Sequence, residues 1–238
     1  MARDKASGVS RRSMIRGTAV AAAAVVGQQF VESSSAAVLP RRVRVASGVK
    51  AYSNSDFYDA SGKFLVDKAK AAYFDMMERF RYPIPEKLRK DMWVLDFALK
   101  DFLNVGMGGI FWLNRQDFRY FGHEIFLLPG QEIVEHAHIE TAKGPAKMES
   151  WHVRHGMIYT FGEGEETKPL PITVPPTQDK FRTAKHCEPL LPGEVRDLNR
   201  LTAKHFMAAG PEGAIVTEYA TFHDGDGLRF TNPAVKLA

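Results

Sequence analysis

The stretch Gly130-Gln131-Glu132-Ile133-Val134-Glu135-His136-Ala137-His138 constrains this chain more than any other part of it. Two imidazoles stand two residues apart. Side chains of a strand alternate between its faces, so this spacing puts both rings on one side. A carboxylate on the following segment, Glu149, and a distant third imidazole, His205, complete a four-ligand metal site of a small β-barrel. Three ring nitrogens and one carboxylate suit Mn, Fe, Zn, Ni or Co, and such a set leaves coordination positions open for a substrate.

The surrounding sequence agrees with that architecture. From Ile110 on, strand-like runs cover 120–128, 132–139, 147–153, 157–161, 201–207 and 214–222. Pro129-Gly130 and His155-Gly156 read as turns, and the proline-rich stretch 163–178 as loop or edge. Many short strands at even spacing predict a mainly β fold, a double-sheet jelly roll or barrel. Upstream, apolar residues at helical spacing predict a helix within 56–79 and a second over 86–102, separated by Pro83 and Pro85. The expected organisation is 37–104 as connector and N-terminal helices and 105–238 as the barrel.

Composition matters mainly for what it removes. The formal charge is +4, but residues 1–36 alone carry +3, through Arg3, Lys5, Arg11, Arg12 and Arg16 against Asp4 and Glu32. The remainder is near neutral, which gives no case for nucleic-acid binding. A single cysteine, Cys187, excludes an internal disulfide framework. Residues 1–36 read as an export signal. Arg11-Arg12 precedes an Ala-rich apolar run, 17–27, and small residues at 33–37 offer a cleavage site. The run is too short for a permanent span, so no stable membrane segment is expected once the signal is removed. The twin-arginine pattern implies transport of a folded protein out of the cytoplasm, which fits a metalloprotein loaded beforehand.

Strand parity selects the residues that could carry chemistry. Glu149 shares a face with Trp151 and Val153, and a buried carboxylate without a partner is costly unless a metal takes it. His205 shares parity with Leu201, Ala203 and Met207. His123, His152, His155, His186 and His223 lack this pattern and are assigned to the surface or to positions behind the ligands. Glu218 lies on a face with Ala214, Val216, Ala220 and Phe222; desolvation there would raise its basicity, as a proton-abstracting base requires. Arg229 carries a cationic fork suited to a developing oxyanion. Lys147 has the parity of Glu149, which puts its ammonium on the same side.

Gly130, five residues, His136-x-His138, then Glu149, six residues, Gly156 resembles the first motif of the cupin superfamily, with ten residues between His138 and Glu149 making a long connecting loop. Lys147-Met148-Glu149 is similar to the Lys-x-Glu of the D-lyxose isomerase family of cupins. Leu201-Thr202-Ala203-Lys204-His205-Phe206-Met207, Gly213-Ala214-Ile215-Val216-Thr217-Glu218 and Asp226-Gly227-Leu228-Arg229-Phe230 also resemble that family. The likeness covers roughly residues 100–233.

This resemblance implies a cupin barrel acting as a metal-dependent aldose–ketose isomerase on a small sugar, of the D-lyxose/D-xylulose type. The divalent ion, manganese first with zinc, cobalt, nickel or iron as alternatives, would be held by His136, His138, Glu149 and His205 and would polarise the sugar carbonyl. Glu218 would move the proton through a cis-enediolate, with Arg229 and Lys147 binding charged oxygens. Cupins often pair through their sheets, so the resemblance allows a homodimer, while the sequence itself does not say whether the chain dimerises. Two rivals use the same barrel: an Fe(II) dioxygenase with the same ligands, and a non-catalytic sugar-binding cupin.

Overall fold

The computed structural model describes residues 46–237; the export segment expected over 1–36 lies outside them. The chain enters through a 3-10 turn, Asn54–Phe57, and a tight reversal at Asp59 to Lys63, where the Asp59 carboxylate accepts from the backbone of Ser61 and Lys63. Helix α1 then runs over Val66–Arg79. It buries Ala69, Ala72, Tyr73, Met76 and Met77, the i, i+3, i+4 stripe that the spacing predicts. Helix α2 is only Glu86–Asp91, and here the sequence expectation is overturned. Met92 turns extended, and β1 (Trp93–Leu95) pairs with β2 (Met107–Arg115). Leu88 stays in the helix, but Leu95 and Leu99, which extended the helical period, fall in a sheet edge and in turns, where Phe97, Ala98 and Lys100 all take positive φ. The segment assigned to helices therefore contributes a strand.

The main sheet continues with β3 (Tyr120–Leu127), then crosses to β8 (Phe206–Ala220) and β5 (Glu149–Gly162). β5 is flanked on its other side by β7 (Val195–Asp197) along its first part and by β6 (His186–Leu190) along its second. A separate two-stranded ribbon pairs β4 (His136–His138) with β9 (Leu228–Phe230). This is the expected mainly β, cupin-type fold with an N-terminal helical segment.

Two pairs of expected strands are each one long strand. The stretches 147–153 and 157–161 fuse into β5, because Gly156 makes a bulge rather than a turn. Its φ is +68°, and a Cβ there would stand 1.9 Å from the Gly213 carbonyl oxygen. The register against β8 shifts on both sides of it without reversal. The expected strands 201–207 and 214–222 are likewise replaced by the continuous β8, but it starts only at Phe206; Leu201 and Thr202 form a turn, with Thr202 at positive φ.

β3 shows why polar-out alternation is weak here. Its Ile125 and Leu127 enter the interior cluster with Val153, Trp151 and Met207, while Phe126, with Leu128 just beyond the strand, packs under the helices with Tyr73, Met77 and Leu88. Both faces of the central strands are covered, as in any layer buried between two others. Each fully buried side chain such as Met77, Leu88 or Phe126 contributes about 1.5–3 kcal/mol. No helix among the described residues is long and apolar enough to cross a membrane.

Candidate functional site

The four expected ligands meet. His136 and His138 lie on β4 with the buried Ala137 between them, Glu149 opens β5, and His205 immediately precedes β8. His136 and His205 are directly opposed and exchange both backbone hydrogen bonds, at 3.0 and 2.9 Å, which fixes one imidazole against the other. The ligand atoms of all four lie within 4.8 Å of one another.

Local chemistry aims them inward. His136 Nδ1–H donates to the Val134 carbonyl and His205 Nδ1–H to the Ala203 carbonyl, each at 2.9 Å. This assigns the tautomer and leaves both Nε2 lone pairs free to ligate. His205 Nε2 then faces a Glu149 oxygen at 2.5 Å, and His138 Nε2 faces the other at 3.5 Å. Both nitrogens are buried without an aligned hydrogen bond. Acceptors converging on one point need a cation between them, so the group fits a divalent metal. Burial, with the neighbouring imidazoles, holds His136 far below the usual imidazole range, hence neutral and ligand-competent. Burial also lowers His138. Burial works to raise Glu149, but the Lys147 ammonium beside it reverses this and holds its carboxyl well below the usual range, so it is ionised.

The long loop after His138 is present and is pinned from outside. Thr141 Oγ1 donates to Asp224 at 2.7 Å, and Lys143 bridges Asp224 and Asp226. It delivers Lys147, fully enclosed, with its ammonium 2.5 Å from Glu149 and in contact with Glu218. Burial disfavours that charge; the two carboxylates outweigh it and raise the lysine.

Glu218 is in the site, but its surroundings differ from the expected apolar face. Across its strand it pairs with His123 of β3 on one side and Trp151 of β5 on the other. Burial pushes its carboxyl up, yet the Lys147 ammonium more than offsets this, and the net direction is down. Raised basicity by desolvation is therefore corrected: Glu218 is held ionised by a lysine that parity could not place beside it.

Arg229 is not in the site. It is exposed, pairs with Ala137, and spends its guanidinium on the carbonyls of Asp226 and Leu228 at 2.8 and 2.7 Å. Its neighbours Leu228 and Phe230 line the cavity instead. Arg229→Ala is expected to leave kcat/KM of the metal-loaded protein within about twofold, the range of exposed substitutions. Steady-state kinetics showing a loss of tenfold or more would return Arg229 to the chemistry.

Sequence reasoning missed two histidines. His123 and His223 both line the cavity, a space of about 370 Å³ that also reaches Trp93, Phe111, Phe121 and the four ligands. His123 shares a face with Phe121 and Ile125, and that alternation was the available signal. His223 follows the end of β8; burial pushes its ring down to about 4, so it is neutral.

No family model matches the chain. It is 30% identical over 174 residues to the D-lyxose/D-mannose isomerase of Thermosediminibacter oceani, covering 73% of this chain and 94% of that protein. Over 152 residues it is 34% identical to the D-lyxose ketol-isomerase of Cohnella laeviribosi, covering 64% of this chain and 81% of the relative. Among solved structures, L-ribose isomerase of Cellulomonas parahominis superposes with a TM-score of 0.56 at 14% identity, over 75% of this chain and 95% of that one. At that identity the match speaks for the fold. The sequence likeness spans nearly the whole of the Thermosediminibacter enzyme, and with it the chain belongs to the D-lyxose isomerase family of aldose–ketose isomerases.

Proposed function

We propose that this isomerase interconverts D-lyxose and D-xylulose, with D-mannose as a second aldose, and that Glu218 is its proton-transferring base. The observation that carries the reading is an ionised carboxylate, paired with Lys147, in the same cavity as the four-ligand cluster. A bound divalent ion, for which manganese is our choice, would supply Lewis-acid polarisation of the sugar carbonyl.

The chain's own residues account for the rest. Glu218 takes the proton from carbon 2 of the open-chain aldose, giving a cis-enediolate. It returns that proton to carbon 1 on the same face, while the hydroxyl hydrogen passes from oxygen 2 to oxygen 1. Lys147 has three N–H donors; two face Glu149 and Glu218, and the third is available to an oxygen bearing developing charge. The aromatic wall of Trp93, Phe111 and Phe121 offers ring faces to the C–H side of a sugar. A cavity of about 370 Å³ is large enough for a pentose or hexose.

The test is conversion of D-lyxose by Mn2+-loaded protein, followed by NMR, beside oxygen consumption with Fe2+. Ketose formation without oxygen uptake is expected. Oxygen uptake without ketose would overturn the reading in favour of a dioxygenase.

For location, we propose export by the twin-arginine route, supported by Arg11-Arg12 and the apolar run after them. Replacing both arginines with lysine is expected to retain the precursor in the cytoplasm. A wild-type chain that stays cytosolic with residues 1–36 attached would overturn it.

A further inference from the structure

We propose that His123 is a positioning residue for Glu218, holding the carboxylate oxygen that Lys147 does not hold. This rests on the reading of Glu218 as the base. Lys147 contacts Oε1 of Glu218; His123 Nδ1 stands 3.7 Å from Oε2. That is a loose polar contact, as expected of catalytic contacts before substrate tightens them. The two residues are directly opposed on β3 and β8, the geometry in which side chains on one face of a sheet meet.

The rings of Trp93, Phe111 and Phe121 pack around the rest of it. It stacks on Trp93, with centroids 5.4 Å apart and planes at 28°, and sits edge-on to Phe111 at 5.0 Å. Gly109 on β2 leaves the room. A Cβ there would stand 2.4 Å from His123 Nε2 and 2.6 Å from the Trp93 ring. Nε2 is buried without a hydrogen-bond partner. The tautomer that fits carries its hydrogen on Nδ1 and turns it to Glu218, leaving only a lone pair in the apolar slot. Three strands thus cooperate: β2 vacates the space, β1 clamps the ring through Trp93, and β3 presents it to the base.

The experiment compares metal-loaded variants. His123→Asn keeps an N–H near the Nδ1 position, His123→Gln moves the amide to the Nε2 position, and His123→Leu keeps only volume. Leu and Gln are expected to lower kcat by about 10–100-fold, with KM and metal content near wild type, and Asn to restore most of the loss. Gly109→Ala, which displaces the ring, is expected to lower kcat alone but add little to His123→Leu. Wild-type kcat in His123→Leu overturns the inference, as does an equal loss in Asn and Gln. If His123→Leu fails to fold, the Asn and Gln pair decides. Glu218→Gln run alongside separates the failures. Full turnover in that variant removes the base, and this role with it. Lost turnover there with normal turnover in His123→Leu removes His123 alone.

Discussion

Glu218→Gln is expected to lower turnover of D-lyxose by about 10²–10⁴-fold, the usual contribution of a positioned general base, while metal content stays at the wild-type level. The glutamine keeps the volume of the side chain, and its carbonyl still accepts from Lys147, so the buried lysine is not stranded. Nor does the change touch His136, His138, Glu149 or His205. Sugar binding should move little, because the base acts on a carbon-bound proton that matters only in the transition state. The diagnostic readout is hydrogen exchange at carbon 2 of the bound sugar in D2O, which should fall in step with turnover. Exchange at the wild-type rate would exclude Glu218 as the base. Loss of metal would instead place Glu218 among the ligands.

His136→Ala is expected to remove both metal and activity while the barrel remains folded. His136 is tied at Nδ1 to Val134 and through its backbone to His205, so its Nε2 has little freedom except to ligate. Without it, three of the four donors remain. Metal binding to the native state alone stabilises by about 2.7 kcal/mol at a hundredfold excess over Kd, of the order of 5–10 °C in Tm for a chain of this size. The wild-type Tm should therefore rise with Mn2+ concentration and fall on chelation, whereas that of His136→Ala should be insensitive to both. Metal analysis of the purified variant checks the same point: near-normal stoichiometry would remove His136 from the ligand set.

The metal cluster could be read from the sequence because each of its members obeys a local rule. His136 and His138 share a face by spacing alone, and Glu149 points inward by the parity of Trp151 and Val153; His205 is buried with Ala203 and Met207, although Leu201 lies in a turn and is exposed. The first helix was legible for the same reason, since Ala69, Ala72, Met76 and Met77 repeat at a helical period. Other features depended on partners that spacing does not reveal. A glycine at positive φ suits a turn or a bulge equally, and only the pairing of β5 with β8 makes Gly156 a bulge. Leu95 fits a helical stripe, yet pairing with Met107 places it in a strand. Arg229 sits on a strand of three residues, too short for alternation to show which face is inward; pairing with Ala137 turns it out.

The chain by itself thus determined the four candidate ligands, the β architecture that gathers them and the family to which it belongs. The tertiary structure alone decided the state and company of Glu218. Lys147 lies 71 residues before it, and His123 belongs to a different strand. Parity reports on which side of a strand a group lies. A carboxylate's charge is set by what stands within a few ångströms of it, and that is fixed by register between distant strands.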